Sequence, residues 1–132
     1  METKDKELLL KDLCARLKYG VILHWEGEQN LVKLYGIKTY GKTIDEYIFI
    51  GLGQPEPGYD YSMRICDIKP YLRPMEDMTE EEMKEYQAFF YYDCVEYPEE
   101  YIDWLNEHHF DYRGLIEKGL AIAVTEENNP YK

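Results

Sequence analysis

The chain lacks the features that place a protein in a membrane or outside the cell. No apolar run approaches the roughly 18 residues that a membrane-spanning helix needs, and charged residues flank the three leucines at residues 8–10. This pattern predicts neither a membrane span nor a signal peptide. The cysteines are odd in number and widely spaced, which favours unpaired thiols in a reducing compartment: Cys14, Cys66 and Cys94. We therefore expect a cytoplasmic protein that contacts no membrane.

Catalytic and cofactor motifs are also missing. The sequence contains no nucleophile elbow, phosphate-binding loop, dinucleotide-binding glycine pattern, zinc-protease motif or calcium-binding loop. Its histidines, His24, His108 and His109, share no metal-site spacing with one another or with the cysteines. We predict no metal and no cofactor, and we assign no catalytic residue. A small enzyme with an unrecognised site stays open as the alternative to a non-enzymatic protein.

Basic residues are nearly absent from one part of the chain. Residues 76–107 hold 12 acidic residues and one basic residue, Lys84, whereas residues 1–75 hold 11 of each. Nearly all of the net charge of −12 therefore lies in one segment. Because this field repels phosphate groups, we expect no direct binding to nucleic acid. The segment is typical of two solvated helix faces, and the alternatives are a docking surface for a basic partner or an acidic anti-defence inhibitor.

The first 20 residues predict a helix. Its apolar positions recur at the spacing of one helix face and are Leu10, Leu13, Cys14 and Leu17. Thr3 or Asp5 is available to cap the start, and Gly20 is placed to end the helix. Because Cys14 lies on the apolar face, we expect its thiol to be buried and unreactive.

Residues 21–72 predict β-strands. Four stretches rich in β-branched and aromatic residues, at 21–26, 31–40, 43–50 and 61–68, are separated by segments that contain glycine, proline or asparagine. Short connections favour antiparallel neighbours, so we predict a meander of four to five strands, either open or closed into a small barrel. The last strand should end at residue 68, because Pro70 cannot donate to a strand ladder.

Residues 76–110 predict an acidic pair of helices. Thr79 and Glu82 match a capping box, and the helix that they start should run to about Tyr92. The second helix should begin at Pro98 and end near the histidine pair.

Residues 111–132 predict a short helical turn, a possible last strand at 120–125 and a tail. Together these elements predict one α+β domain over residues 1–132. Its N-terminal helix precedes the antiparallel sheet, and the two helices of the C-terminal half pack on that sheet.

Two connections hold the candidate binding residues. Tyr71 and Arg73 lie between prolines, and the predicted helix end is followed by His109, Asp111, Tyr112 and Arg113. Binding residues concentrate in loops, and tyrosine and arginine dominate interface energetics. We predict that both connections are exposed and approach each other to form part of a partner-binding surface. The simpler interpretation is that Arg73 and Arg113 pair with nearby acids and carry no function.

Three motifs are distributed along the chain: KDLCARLKYGV at residues 11–21, KPYLRPMEDMTEEE at 69–82 and DYRGLI at 111–116. They resemble a family of small uncharacterised proteins encoded by phages, prophages and mobile elements of anaerobic gut bacteria. The resemblance implies a cytoplasmic accessory protein of phage or mobile-element origin, and it implies no activity, cofactor or catalytic residue. With the absence of catalytic motifs, it predicts a non-enzymatic binding or adaptor protein with a protein partner.

Overall fold

The computed structural model describes residues 1–26, 31–54, 60–90 and 98–131. These residues form an α+β fold with an N-terminal helix, a six-stranded mixed sheet and two further helices. The helices are α1 (Thr3–Arg16), α2 (Glu80–Ala88) and α3 (Pro98–Glu107), and the strands are β1 (Ile22–Trp25), β2 (Leu31–Thr39), β3 (Tyr47–Gln54), β4 (Asp60–Met63), β5 (Ile68–Leu72) and β6 (Ile122–Ala123). Within the described ranges, no helix has both the length and the apolar composition that crossing a bilayer requires.

The sheet has the strand order β4-β3-β2-β1-β5-β6, so β4 and β6 lie at its edges. Consecutive strands β1 to β4 pair antiparallel, as their short connections predicted, and β5 pairs antiparallel with β1 on the other side. Strand β6 pairs parallel to β5, because the chain passes through α2 and α3 between the two strands. The α+β class and the antiparallel pairing of five strands are confirmed, but the sheet is larger than predicted and is not purely antiparallel. The sixth strand lies inside the segment predicted as a possible last strand.

Strand β5 continues through Pro70, which was predicted to prevent a strand here. The Glu26 N–H donates to the Asp67 carbonyl at 2.8 Å. Because hydrogen-bonded pairs alternate along an antiparallel ladder, Leu23 and Pro70 form a pair that exchanges no hydrogen bonds. The missing donor of Pro70 therefore removes no bond from the β1–β5 ladder. The predicted strand 61–68 is divided instead by a short 3-10 turn between β4 and β5.

Strand β3 continues through Gly51 and Gly53, beyond the end of the predicted strand at residue 50. A methyl group on Gly51 would collide with the Val32 side chain across the β2–β3 ladder. Glycine here permits a close approach of two strands and does not mark a turn. The beginning of the predicted strand 43–50 is a 3-10 turn, Ile44–Glu46.

Helix α1 buries a face that is rotated from the predicted one and shares Leu13 with it. Its buried residues are Leu9, Asp12, Leu13 and Arg16. Of the predicted apolar face, Leu13 is buried and Leu10 and Leu17 are half-buried against the core, but Cys14 is exposed, so the predicted burial of its thiol is wrong. Asp12 and Arg16 form an ion pair inside the protein. A count of apolar positions misses this face, because it treats both charged residues as surface residues.

The predicted C-terminal end of the first helix is confirmed, and its predicted N-cap is not. Glu2 is the N-cap residue and makes no side-chain cap hydrogen bond, so neither Thr3 nor Asp5 caps the helix. Gly20 ends the helical segment as predicted, after the 3-10 turn Leu17–Tyr19. Its φ of 68° lies in the left-handed region that glycine adopts without strain.

Helices α2 and α3 begin where the sequence predicted. The Glu82 N–H donates to the Thr79 hydroxyl at 3.1 Å and the Thr79 N–H donates to the Glu82 carboxylate at 3.0 Å, which confirms the capping box. Helix α3 begins at Pro98, also as predicted. Helix α2 ends at Ala88, short of its predicted end at about Tyr92, and Tyr92 itself lies outside the described residues.

The main core lies between α1, one face of the sheet and residues 115–121. It comprises Leu9, Leu13, Val21, Leu23, Val32, Leu34, Phe49, Met63, Ile65, Ile68, Leu72, Leu115, Leu120 and Ala121. Helix α2 contributes no buried residue. It packs on α3 through aromatic rings instead, since Tyr86 and Phe89 lie 5.9 and 6.3 Å from the Trp104 ring.

Candidate functional site

The two connections predicted to form a partner-binding surface lie side by side. The Arg73 N–H donates to the His109 carbonyl at 2.7 Å, and the Asp111 N–H donates to the Arg73 carbonyl at 2.9 Å. Between these two bonds, Arg73 and Phe110 form a parallel bridge. The predicted approach of the two connections is therefore confirmed.

The predicted exposure of both connections is wrong. Tyr71 lies in β5 and is 6% exposed, and Asp111 is 9% exposed. The other four candidates are half-buried: Arg73, His109, Tyr112 and Arg113. The prolines did not produce a surface loop, because the chain pairs with residues 109–111 directly after β5 ends.

Arg73 connects the end of β5 to α2. Its guanidinium donates two hydrogen bonds to the Glu82 carboxylate, each 2.7 Å long, and lies 4.2 Å from the centre of the Phe110 ring. These hydrogen bonds lower the pKa of Glu82 to about 2. Because Glu82 also closes the capping box, one carboxylate sets both the start of α2 and its position against the sheet.

Arg113 belongs to a second ionic cluster, which sequence reasoning missed. The Asp12 carboxylate accepts from Arg16 Nε at 2.8 Å and from Arg113 Nη1 at 2.9 Å, and both Asp12 and Arg16 are fully buried. Arg16 Nη2 also donates to the Phe110 carbonyl at 2.5 Å. The cluster therefore bonds α1 to residues 110–113. The available signal was the i, i+4 spacing of Asp12 and Arg16, which suits an ion pair on one helix.

His109 closes α3 in the left-handed conformation that glycine usually adopts. Its φ is 63°. The His109 N–H donates to the Asn106 carbonyl at 3.1 Å, and the Phe110 N–H donates to the Leu105 carbonyl at 2.9 Å. These are the two hydrogen bonds of a Schellman motif, and the buried Leu105 and Phe110 side chains are placed to make its hydrophobic contact.

The His109 ring packs against the C-terminal segment. It stacks on the Tyr131 ring with 3.8 Å between the ring centres. Burial, and then the positive charge of Arg16, lowers the pKa of His109 to about 4, so the imidazole is neutral at neutral pH. The Tyr131 hydroxyl donates to the Tyr71 carbonyl at 2.7 Å and accepts from the Ile22 N–H at 3.0 Å, and burial raises its pKa.

Two cavities lie beside these residues. The first has a volume of about 550 Å³, and we name it the tyrosine cavity after its lining, which includes Glu76, Tyr86, Tyr101, Asp111, Tyr112 and Glu117. The second has a volume of about 760 Å³, and we name it the histidine cavity, with a lining that includes Arg73, Glu82, His108, His109, Glu126 and Tyr131. Of the six predicted residues, Tyr71 and Arg113 line neither cavity.

The histidine cavity holds carboxylates and histidines, yet it assembles no acid–base pair. Among the described residues, no histidine forms a hydrogen bond with a carboxylate. His108 Nδ1 lies 2.8 Å from the Trp104 carbonyl, an acceptor, so this nitrogen carries the proton. Glu82 stays ionised beside Arg73. In the described part of the chain, Glu82 and His108 are therefore engaged in structural hydrogen bonds.

Metal-binding groups do not converge in the described part of the chain. No three histidine, cysteine, aspartate or glutamate side chains there are arranged to hold a metal ion. Cys14 and Cys66 carry free thiols, and Cys94 lies outside the described residues.

The tyrosine cavity combines apolar walls with negative charge. Ile102, Leu105 and Ile116 contribute to its walls, and none of its described lining residues is lysine, arginine or histidine. Such a lining suits a ligand that is apolar along its length and positively charged at one end. Sequence reasoning found Asp111 and Tyr112 but missed the rest of the cavity, which depends on tertiary contacts. No protein-family model, curated protein or solved structure matches this chain.

Proposed function

We propose that this protein is a non-enzymatic binding or adaptor protein that holds a positively charged segment of a protein partner against α2 and α3. The observation that carries the proposal is that exposed carboxylates lie together with exposed Met83 and Phe90 and with half-buried aromatic rings, on this helix pair and directly after α2. Neither property alone specifies a partner, since charge runs usually solvate a surface and single apolar residues are common there.

The charge of the helix pair is strongly one-sided. Helices α2 and α3 each carry four acidic residues, and Lys84 is their one basic residue. Glu82 is bound to Arg73, and Glu85 accepts from Trp104 Nε1 at 3.0 Å. The remaining carboxylates are exposed: Glu80, Glu81, Glu99, Glu100, Asp103 and Glu107. A field of this sign attracts a basic partner and increases its association rate.

Apolar side chains lie among these carboxylates. Phe90 is 40% exposed and Met83 is 39% exposed, and Tyr86, Phe89 and Tyr101 are half-buried. Aromatic residues and methionine are enriched in the centres of protein interfaces. A basic amphipathic segment would therefore contact the rings with its apolar side and the carboxylates with its charged side. The same rings weigh against an inhibitor that mimics nucleic acid, which needs an acidic face free of aromatics.

The proposal also includes a cytoplasmic location and a phage or mobile-element origin. The odd number and wide spacing of the cysteines support the first. The three sequence motifs at residues 11–21, 69–82 and 111–116 support the second.

Binding of a designed peptide tests the proposal. The probe is a fluorescent amphipathic helical peptide with lysines on one face and leucines on the other, and its binding is followed by fluorescence anisotropy. We expect it to bind, and we expect added salt to weaken the binding. Four surface charges should be removed together in a variant that carries Glu80→Gln, Glu81→Gln, Glu99→Gln and Glu100→Gln. Its affinity should fall by about tenfold, because an exposed ion pair contributes about 0.2–1 kcal/mol.

The matched control changes the net charge equally at exposed positions outside the helix pair: Glu2→Gln, Glu7→Gln, Glu126→Gln and Glu127→Gln. Its affinity should stay close to wild type, and circular dichroism should show both variants folded. Equal losses in the two variants would mean that net charge alone attracts the peptide. That result, or equal binding of the same peptide with glutamates in place of its lysines, would refute the proposed function.

A further inference from the structure

We infer that the tyrosine cavity is the site that takes a lysine or arginine side chain of the partner. This inference rests on the proposed function, because the partner presents the side chain. It adds a location and a ligand class: an organic cation with an aliphatic stem.

The walls of the cavity match the stem of such a side chain. Ile102 and Leu105 of α3 line the cavity together with Ile116, Pro74 and Met75. Lysine and arginine bury their methylene groups along apolar surface and keep the charged end near water or near a carboxylate. A volume of about 550 Å³ accommodates one such side chain together with neighbouring backbone.

The charge of the cavity matches the head group. Glu76 and Glu117 are exposed, and Tyr86 and Tyr101 contribute aromatic rings to the same lining. Carboxylates and aromatic faces both attract an ammonium or guanidinium group. The guanidiniums of Arg16 and Arg113 lie 5.3 and 4.6 Å from the Tyr112 ring. Both are bonded to Asp12, and Arg113 also donates to the Tyr112 hydroxyl at 2.8 Å, but neither guanidinium lines the cavity.

The wall formed by residues 111–117 is held in place before any ligand binds. The two oxygens of the Asp111 carboxylate accept from the Leu115 and Ile116 N–H groups at 2.9 and 3.0 Å. The Tyr112 hydroxyl donates to Asn106 Oδ1 at 2.9 Å. A preformed wall loses little conformational entropy on binding, which favours a small ligand.

The experiment uses pentylammonium chloride as a model of the lysine side chain, with 1-pentanol as the neutral analogue and hexanoate as the anionic one. Binding is followed in methyl spectra of the full chain with labelled isoleucines. We expect pentylammonium to shift the Ile102 and Ile116 signals at concentrations where the two analogues do not. The double variant Glu76→Gln/Glu117→Gln should bind pentylammonium about fivefold more weakly, since it removes two surface carboxylates from the head group.

The matched control is Glu126→Gln/Glu127→Gln, which makes the same change in net charge away from the tyrosine cavity and should bind like wild type. Equal weakening in the two variants, equal shifts from 1-pentanol, or the absence of shifts at Ile102 and Ile116 would overturn the inference. The peptide experiment is independent of this result. If the peptide binds at α2 and α3 while pentylammonium leaves both methyl signals unmoved, the inference fails and the proposed function stands.

Discussion

Residues 1–75 and residues 76–107 are held in place by different interactions. The first segment has equal numbers of acidic and basic residues and supplies most of the core. The second holds nearly all of the net charge, and its helix α2 buries no residue. Helix α2 is fixed instead by directed polar bonds, from Arg73 to Glu82 and from Trp104 to Glu85, and by ring contacts. Helix α2 can therefore leave most of its carboxylates in solvent, because a few hydrogen bonds and ring contacts fix its position without a buried face.

The largest expected effect comes from the buried ionic cluster that joins α1 to residues 110–113. Asp12→Ala leaves Arg16 buried without its carboxylate partner. We expect a loss of about 3–5 kcal/mol in the free energy of unfolding, measured by urea denaturation.

The control for this change is Asp45→Ala. Asp45 pairs with Lys6 at 2.6 Å, but the Asp45 side chain is 61% exposed. The expected loss is about 0–1 kcal/mol, because solvent screens an exposed pair. Similar losses for Asp12→Ala and Asp45→Ala would show that the ion pair of α1 is not effectively buried.

The second prediction concerns the bond that fixes α2. The folded-state pKa of Glu82 is about 2, against 4.5 for an ordinary glutamate, because Arg73 donates to the carboxylate. The folded protein therefore binds this proton less readily than the unfolded chain does. The stability from this carboxylate is complete above about pH 4.5 and is lost as the pH falls towards about 2.

We therefore expect Glu82→Gln to be less stable than wild type at neutral pH, with a difference that shrinks below about pH 4.5. Urea unfolding of both proteins at several pH values measures this difference. Glu81→Gln serves as the control, because it removes an exposed carboxylate from the same helical turn. A difference that keeps its size at about pH 3 would contradict the assigned role of Arg73.

The order of most elements could be predicted, because their signals are local. A capping box, a proline at the first position of a helix and a glycine at its end each act through neighbouring backbone groups. Thr79, Pro98 and Gly20 were predicted correctly for this reason.

The errors arose where a distant partner decides the structure. Pro70 is compatible with β5 because of its register against β1, and Asp12 is buried because Arg16 and Arg113 neutralise it. The approach of Arg73 to residues 109–111 was predicted, but its pairing with Glu82 stood only as the simpler alternative. The tyrosine cavity was missed, since it forms only when residues 74–76, both helices and residues 111–117 come together.

The third prediction concerns His109, the left-handed residue between α3 and the buried Phe110. His109→Ala and His109→Gly both remove the stacking on Tyr131, but alanine keeps a Cβ atom in the left-handed conformation. We expect the alanine variant to be less stable than the glycine variant by about 1–2 kcal/mol. Thermal unfolding of both variants measures the difference. Equal stabilities would show that residue 109 leaves the left-handed region once the ring is removed.

The smallest expected effect concerns the N-terminal capping of α2 in residues 76–107, compared with that of α1 in residues 1–75. Thr79 caps α2 through its hydroxyl, whereas Thr3 lies at the start of α1 and the N-cap of that helix makes no side-chain bond. Thr79→Ala should therefore lower the free energy of unfolding by about 1 kcal/mol. Thr3→Ala, the matched control, should change it by less than about 0.5 kcal/mol, as is usual for surface positions without special contacts. Urea denaturation of both variants and of the wild type measures the two losses. Because α1 is stabilised by its buried face and α2 has none, an effect at Thr3 as large as that at Thr79 would mean that the two helices depend on capping equally.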